Sequence, residues 1–339
     1  MIAITLEAPG KFSFAEGAPA AVPAEGEALV RVRKAGVCGT DIHAFGGTQP
    51  FFNYPRILGH ELGVEVLAVG PGVTGVRPGQ SCSVEPYMNC GTCSACRRGK
   101  PNCCSVLRVL GVHVDGGMRS QLVVRASKLH PSELLTLDQL ALVEPLGIGC
   151  HAVDRGQVQP GEFVLVIGAG PIGLATAQFA LESGGIVIVM DVNQARLDFC
   201  RSQLGIPYVI NAATSGVLDG LMGITGGDLP TVVFDATGNP RSMAAAFDYP
   251  AQGGRIVFVG LFQGDLAFND PNFHRRELTV MASRNALPGD FKRIIQLIED
   301  GRIDTTPWIT HRAKLADVPS LFASWTKPES GVIKAMIDV

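Results

Sequence analysis

The chain has 339 residues, which is long for a single hydrophobic core and predicts two domains. Its 28 basic and 31 acidic residues give a net charge of −3, and no basic run or interleaving of arginine with aromatic residues marks a nucleic-acid surface. No apolar run reaches the roughly 20 residues that span a bilayer, and the N-terminal stretch lacks the blocks of a signal peptide. We therefore expect a cytoplasmic protein with no nucleic-acid or membrane partner.

The first 150 residues read as short β-strands separated by glycine and proline. Turns such as Pro71-Gly72 and Pro78-Gly79 divide the segments EALVRVRKAGV, LGVEVLAVGPGV and SQLVVRASKLH. This pattern predicts a small barrel-like or mixed β domain.

From Gly161 onwards, continuous apolar runs alternate with helical stretches that begin at Pro171 and Gln194. The runs are FVLVIG, GIVIVMD, YVI, VVFDATG and GGRIVFVG. Such runs predict an α/β domain whose parallel sheet is covered on both faces.

After about Ala282 the pattern changes to an amphipathic helix, DFKRIIQLIEDG, and a last strand, GVIKAMIDV. We expect this final segment to rejoin the first domain. The predicted domains are therefore residues 1–150 with 285–339, and residues 151–284.

The stretch VLVIGAGPIG places Gly168, Gly170 and Gly173 directly after an apolar strand and at the start of a helix. In a dinucleotide site these glycines permit the tight turn, the approach of backbone N–H groups to a pyrophosphate and close helix–strand packing. Asp191 ends the next strand, where a carboxylate can accept hydrogen bonds from two ribose hydroxyls, and this favours NAD over NADP, although Arg196 leaves NADP open. A glycine turn without a nucleotide is the alternative. The predicted cofactor-binding residues are Gly168, Gly170, Pro171, Ile172, Gly173, Asp191 and Arg196.

Five cysteines lie within NCGTCSACRRGKPNCC. The spacing of Cys90, Cys93 and Cys96, followed by Cys103 or Cys104, suits a closed tetrahedral zinc site with a structural role. A disulfide knot is the alternative, but clustered cysteines in a reducing compartment are more often metal ligands.

A second, mixed set of possible ligands comes from three separate segments. Cys38 lies in GVCGTDIH, His60 in GHE and Glu144 in VEPLGIG. One thiolate, one imidazole and one carboxylate leave room for water or substrate, as in a catalytic zinc site. Taken singly, the cysteine could be an inert core residue and the histidine a hydrogen-bonded one.

Together these motifs resemble the zinc-dependent medium-chain dehydrogenase family of alcohol and polyol dehydrogenases, over nearly the whole chain. The resemblance implies an α/β fold: a GroES-like β-rich catalytic domain and a Rossmann domain with a doubly wound parallel sheet. It implies a structural zinc lobe at residues 86–108 with Cys104 rather than Cys103 as the fourth ligand, and thus two zinc ions per chain.

The resemblance also assigns roles near the catalytic zinc. Cys38 and His60 would be ligands, and Glu61 a direct or alternating ligand. Glu144 stands where ethanol-type members carry a third cysteine and where polyol and threonine dehydrogenases commonly have glutamate. Whether Glu61 or Glu144 is the third direct ligand stays open, and the carboxylate favours a polyhydroxylated substrate.

By the same resemblance, zinc makes the substrate hydroxyl acidic while hydride passes to the nicotinamide. Thr40 and His43 would relay the proton to solvent, and the alternatives are a turn residue and a surface histidine. Arg284 resembles an arginine that contacts substrate hydroxyls, and it could also bind a sugar-acid carboxylate. His113 could line the cleft, but a solvated histidine is favoured.

The sequence thus predicts a zinc- and NAD-dependent secondary-alcohol dehydrogenase acting on a polyol, sugar or sugar acid. The alternatives are an L-threonine 3-dehydrogenase, a zinc-free quinone reductase and a non-catalytic NAD-binding protein. By resemblance, the segments RIVFVGL and LTVMA join subunits in a homo-oligomer, a dimer or a tetramer.

Overall fold

A computed structural model of the chain describes residues 2–16, 21–50, 52–214 and 216–339. They form two units. The first unit runs to Pro145 and resumes over Leu287–Val339, and the second is Leu146–Ala286. Among the described residues, no helix is both long and apolar enough to cross a bilayer.

The first unit is built mainly from β-strands. They are β1 (Ile2–Ala8), β2 (Lys11–Glu16), β3 (Glu27–Gly36), β4 (Arg56–Ile57), β5 (Glu61–Val69), β6 (Ser81–Val84), β7 (Tyr87–Met88), β8 (Arg108–Val109), β9 (Gln121–Arg125), β10 (Leu129–Pro131), β17 (Ile309–Lys314) and β18 (Lys334–Asp338). Its helices are α1 (Gly39–Phe45), α2 (Ser94–Arg97), α9 (Pro288–Glu299) and α10 (Val318–Trp325). A further helix, α3 (Leu137–Gly156), leads from the first unit into the second.

Strand β3 lies at the centre of the main sheet of this unit, whose order is β10-β6-β5-β3-β18-β17 with β9 also paired to β3. Gly36 is opposite Glu61 of β5 on one side and opposite Met336 of β18 on the other. The C-terminal strand and the strand that contains Glu61 therefore flank the same end of β3 on opposite sides, although the two are far apart in sequence.

The core of the first unit consists of the inward-facing residues of these strands. Val30, Val32 and Leu62 are fully buried, as is Phe322 of α10, whose ring contacts Phe12 and Phe45 at centroid distances of 5.2 and 5.0 Å. Burial of such side chains stabilises the fold by roughly 1.5–3 kcal/mol each.

An ion cluster at the rim of the sheet ties α3 to β3 and β17. Arg312 donates to both Asp138 oxygens, at 3.1 and 2.6 Å, and Lys34 Nζ is 3.6 Å from Asp138 Oδ1. Burial alone would raise the pKa of Asp138, but these two cations outweigh it and hold the pKa below the ordinary 3.8.

The second unit is a parallel sheet with helices between its strands. The strands are β11 (Phe163–Ile167), β12 (Ile186–Asp191), β13 (Tyr208–Asn211), β14 (Val232–Asp235), β15 (Arg255–Phe258) and β16 (Thr279–Ala282). The helices are α4 (Pro171–Glu182), α5 (Gln194–Leu204), α6 (Val217–Thr225), α7 (Pro240–Ala245) and α8 (Asp270–Arg275). The strand order β13-β12-β11-β14-β15-β16, all parallel, is that of a Rossmann fold, as predicted.

The predicted strands of both units are present, as are the helices at Pro171 and Gln194 and the amphipathic helix α9. The sequence analysis missed helix α3, which contains Pro145. Most of its residues are buried around the whole circumference, so its apolar positions have no amphipathic period to detect.

Candidate active site

Three predicted ligands come together in the first unit. Each of Cys38, His60 and Glu61 offers a ligand atom, and these atoms all lie within 4.8 Å of one another. Cys38 is the N-cap residue of α1, and His60 and Glu61 lie where the chain enters β5. His60 and Glu61 are buried and Cys38 is half-buried, so Cys38 is the most exposed member of the group.

Asp41 holds the loop of Cys38 in place and faces His60, a role that the sequence analysis missed. Its Oδ2 accepts a hydrogen bond from the Cys38 amide at 3.0 Å, whereas Oδ1 lies 3.8 Å from His60 Nδ1. Asp41 Oδ1 and His60 Nδ1 are both buried and have no hydrogen-bond partner. The pair is therefore placed to orient the imidazole with Nε2 free for a metal.

Glu61 is clamped by a buried lysine that the sequence analysis also missed. Lys334 Nζ donates to Glu61 Oε1 and Oε2, at 2.6 and 2.7 Å, and to the Val37 carbonyl at 3.2 Å. A Cβ on Gly36 would lie 2.1 Å from Glu61 Oε2, so only glycine leaves room for this carboxylate. Burial alone would lower the pKa of Lys334, but Glu61 outweighs it and raises the pKa.

Glu144 lies in α3, is buried, and accepts a hydrogen bond at 2.5 Å from the hydroxyl of Tyr87. Burial raises the pKa of Glu144, and it also raises that of Tyr87 well above 10.0, with the negative charge of Glu144 adding to the effect. Glu144 is outside the group of donor atoms that lie within 4.8 Å of one another. The negative charge of Glu144 nevertheless contributes to raising the pKa of His60.

The electrostatics of this pocket suit a bound cation. Burial alone would lower the pKa of His60, but the charges of Cys38 and Asp41 outweigh it and raise the pKa well above 6.5. Lys334 is paired with Glu61, so a protonated His60 is the cation nearest to Cys38, Asp41 and Glu144, and a bound metal ion would take over that compensation. A thiolate, an imidazole and carboxylate oxygens are donors that zinc prefers, so these residues fit zinc.

Thr40 and His43 both lie in α1, two and five residues after the Cys38 cap. Thr40 is half-buried and His43 is exposed. The His43 ring nitrogen Nδ1 lies 3.2 Å from Thr48 Oγ1, so a hydroxyl fixes the ring at the protein surface.

Four cysteines of the predicted structural lobe form a second group, Cys90, Cys93, Cys96 and Cys104, with all sulfurs within 4.8 Å. Cys103 is exposed and is not in this group. Backbone hydrogen bonds, from Cys96 first, lower the pKa of Cys93 to about 5, while burial raises that of Cys96 to about 11. Thiolates crowded in this way oppose one another's ionisation, and a divalent cation would relieve the repulsion.

The glycine motif opens α4 in the second unit, with Gly170 as its N-cap. A Cβ on Gly173 would lie 1.7 Å from the Gly168 carbonyl oxygen, so the predicted close packing is present. Asp191 accepts hydrogen bonds from the Ala169 amide at 2.6 Å and the Asn193 amide at 2.8 Å, and it thereby fixes the turn. The Arg196 guanidinium lies 3.6 Å from the Cβ position of Gly170.

The sequence predicts a substrate contact for Arg284 and favours a solvated role for His113. Arg284 is exposed and follows the buried Ser283 after β16. His113 is half-buried, and its Nδ1 accepts a hydrogen bond from the Val109 amide at 3.1 Å, which gives it a local structural role. The signal for the missed Lys334 was a charged residue inside the apolar segment GVIKAMIDV.

Two sequence families match this chain. Residues 24–134 match the alcohol dehydrogenase GroES-like domain, and residues 171–300 match the zinc-binding dehydrogenase family. The chain is a zinc-type medium-chain alcohol dehydrogenase by family, and thus an enzyme that uses zinc and a nicotinamide cofactor.

Individual relatives match almost end to end. The chain is 41% identical to the L-galactonate-5-dehydrogenase of Escherichia coli K12 over 93% of each chain. It is 31% identical to the L-threonine 3-dehydrogenase of Pyrococcus horikoshii, over 93% of this chain and 92% of the relative. An alcohol dehydrogenase from Escherichia coli CFT073, solved with NADH, superposes with a TM-score of 0.92 at 31% identity, covering 100% of this chain and 99% of that one.

Proposed function

We propose that this enzyme oxidises a secondary alcohol of a sugar acid, sugar or polyol and transfers the hydride to NAD. The observation that carries the proposal is the carboxylate-rich donor set, in which Glu61 and Glu144 are buried near Cys38 and His60. Carboxylates accept hydrogen bonds from the hydroxyls of a polyhydroxylated substrate better than a thiolate does. The similarity to an L-galactonate-5-dehydrogenase supports the sugar-acid class.

Cys38 and His60 would hold the catalytic zinc, with Glu61 or Glu144 as the third donor. When bound, zinc supplies the Lewis acid that makes the substrate hydroxyl acidic. Asp41 would orient His60 from its Nδ1 side and so keep the imidazole aimed at the metal.

The proton from the substrate must reach solvent. Thr40 is close to the Cys38 cap and can pass a proton through its hydroxyl, whereas His43 is exposed and can release it to water. We expect His43→Gln to lower turnover more at pH 6 than at pH 9, because hydroxide takes over the role of the base at high pH.

The second unit would bind NAD with its pyrophosphate at the N-terminus of α4. Asp191 uses one lone pair of each oxygen to hold the turn and retains others for ribose hydroxyls. A 2′-phosphate would bring a second anion to this carboxylate, which disfavours NADP. We expect Asp191→Ala to lower the ratio of NAD to NADP turnover.

L-Threonine oxidation is the second candidate, because a 31% identical relative is an L-threonine 3-dehydrogenase. A panel of L-galactonate, sorbitol and L-threonine, each with NAD and with NADP, separates the two through absorbance of the reduced nicotinamide. We expect the highest kcat/KM for the sugar acid with NAD. A preference for threonine, or no turnover of any hydroxylated compound, would refute the proposal.

We further propose two zinc ions per chain, one at the catalytic group and one at the four-cysteine lobe. Elemental analysis of Cys38→Ser is expected to find one zinc ion per chain. The same variant is expected to have no turnover. Cys200→Ser is the matched control, because burial raises the pKa of this thiol in α5 to about 12 and keeps it inert. Full turnover by a folded, one-zinc Cys38→Ser protein would contradict the assignment.

We also propose that the chain is a homo-oligomer joined through β16. This strand is at the edge of the six-stranded sheet, and Val280 within it is 41% exposed. An unpaired edge of this kind can pair with that of a second copy. Light scattering should find a dimer or tetramer, and Val280→Lys should dissociate it.

A further inference from the structure

We propose that Tyr87 is a positioning residue that leaves Glu144 one carboxylate oxygen for the metal. The Tyr87 hydroxyl donates to Glu144 Oε1 at 2.5 Å, and within the described residues it is the one hydrogen-bond donor to that carboxylate. Oε2 therefore stays available, while rotation of the carboxylate is restricted. The inference rests on the proposed function, because it takes Glu144 as part of the metal site.

The Tyr87 ring is fixed by packing, so its hydroxyl has a defined place. The ring meets Phe291 edge-on, with centroids 6.4 Å apart and planes at 76°, and Phe291 stacks on His130 at 4.8 Å and 20°. Each of these side chains is buried. Aromatic contacts of this geometry contribute about 0.5–1.5 kcal/mol each beyond area burial.

A buried ionic group holds the far end of this stack. His130 Nε2 lies 3.2 Å from Glu85 Oε2, and Lys128 donates to Glu85 Oε1. Glu85 is two residues before Tyr87 in the chain, so the same carboxylate group anchors both the stack and the backbone that carries the tyrosine. The hydroxyl thus reaches Glu144 from a rigid support rather than from a mobile loop.

The two glutamates of the site are held in different ways. Lys334 binds both oxygens of Glu61, whereas Tyr87 binds one oxygen of Glu144. A carboxylate oxygen of Glu61 lies within 4.8 Å of the Cys38 and His60 donor atoms, and Glu144 is not in that group. The Tyr87 tether therefore sets which Glu144 oxygen can turn to the metal or to a group bound there.

The test measures zinc retention, which does not depend on turnover. Zinc-loaded wild type, Tyr87→Phe, Glu144→Gln and the double variant compete with a chromophoric chelator, and Cys38→Ser identifies the zinc that belongs to the four-cysteine lobe. Loss of a residue that hydrogen-bonds to a metal ligand commonly weakens metal binding about 10–100-fold, so we expect Tyr87→Phe to retain the catalytic zinc about tenfold less tightly. Tyr249→Phe, which removes a half-buried hydroxyl in the other unit, should match wild type.

The double variant shows whether Tyr87 acts through Glu144. In the Glu144→Gln background we expect Tyr87→Phe to change zinc retention less than twofold. Phe291→Leu, which loosens the stack but keeps the hydroxyl, should cause a smaller loss of zinc that also disappears in that background. This second variant provides the test if Tyr87→Phe does not fold.

The outcomes separate the inference from the function it rests on. If Glu144→Gln weakens zinc binding but Tyr87→Phe leaves it unchanged or tighter, the positioning role of Tyr87 is wrong and the proposed function stands. An equal loss from Tyr87→Phe in both backgrounds also refutes it. If Glu144→Gln changes neither zinc retention nor turnover, Glu144 does not belong to the metal site; the inference is then wrong, and Glu61 remains as the third donor.

Discussion

Replacing Lys334 by methionine tests how strongly the fold depends on the buried pair with Glu61. Lys334 is 2% exposed and Glu61 fully buried, and the ammonium contacts both carboxylate oxygens and the Val37 carbonyl. Methionine has a similar volume but no charge, so Glu61 would lose its only hydrogen-bond donor among the described residues. Removing one partner of a buried ion pair costs about 3–5 kcal/mol of unfolding free energy.

Urea denaturation of the zinc-loaded protein measures this cost. With an m-value of about 2.5 kcal/mol per molar urea, a loss of about 4 kcal/mol lowers the unfolding midpoint of the first unit by about 1.6 M. Lys128→Met is the graded control, because its partner Glu85 keeps the contact with His130 and should lose less stability. Both lysines are buried, so side-chain burial does not explain a difference between them.

The double variant Lys334→Met with Glu61→Leu isolates the charge effect. An apolar pair avoids the desolvation cost, so the double variant should recover most of the midpoint. The reasoning is refuted if Lys334→Met lowers the midpoint by less than about 0.3 M, or if the double variant is as unstable as the single one.

Three further results are expected. Cys104→Ser should lose one zinc per chain by elemental analysis, whereas Cys103→Ser should keep the wild-type content, because only the former sulfur lies within the four-cysteine group; equal losses would contradict this. Asp138→Asn should be less stable than wild type at pH 7, and the difference should begin to shrink as the pH falls below about 4 and vanish below the depressed folded-state pKa, since the pKa shift stabilises the fold only while the carboxylate is ionised; a difference that does not shrink below about pH 4 would not fit. Gly36→Ala should lower the melting temperature and weaken zinc retention, because its methyl group would lie 2.1 Å from Glu61 Oε2; a wild-type melt would argue against this crowding.

The Rossmann unit was predictable because its signals are local. Each parallel strand is buried on both faces and reads as a continuous apolar run, and the glycines between β11 and α4 have fixed spacing. The cysteines of the structural lobe are likewise close in sequence, so spacing alone limited the fourth ligand to Cys103 or Cys104.

The partners of the candidate site were not predictable in the same way. Lys334 and Glu61 are 273 residues apart, and Tyr87 and Glu144 are 57 apart, so strand register and helix packing bring them together. A single sequence does not specify register at that range. The missed helix α3 adds a physical reason, because Pro145 inside it reads as a helix breaker although Glu144 depends on that helix for its place.

The contrast between Lys334 and Tyr87 suggests how one pocket can use two carboxylates. A buried carboxylate needs a compensating charge, and the ammonium provides it for Glu61 whether or not a metal is bound. A neutral hydroxyl compensates Glu144 only in part, so a cation in the pocket gains more from Glu144 than from Glu61. Metal binding should therefore depend more steeply on Glu144, whereas the stability of the metal-free fold should depend more on Glu61 and its lysine.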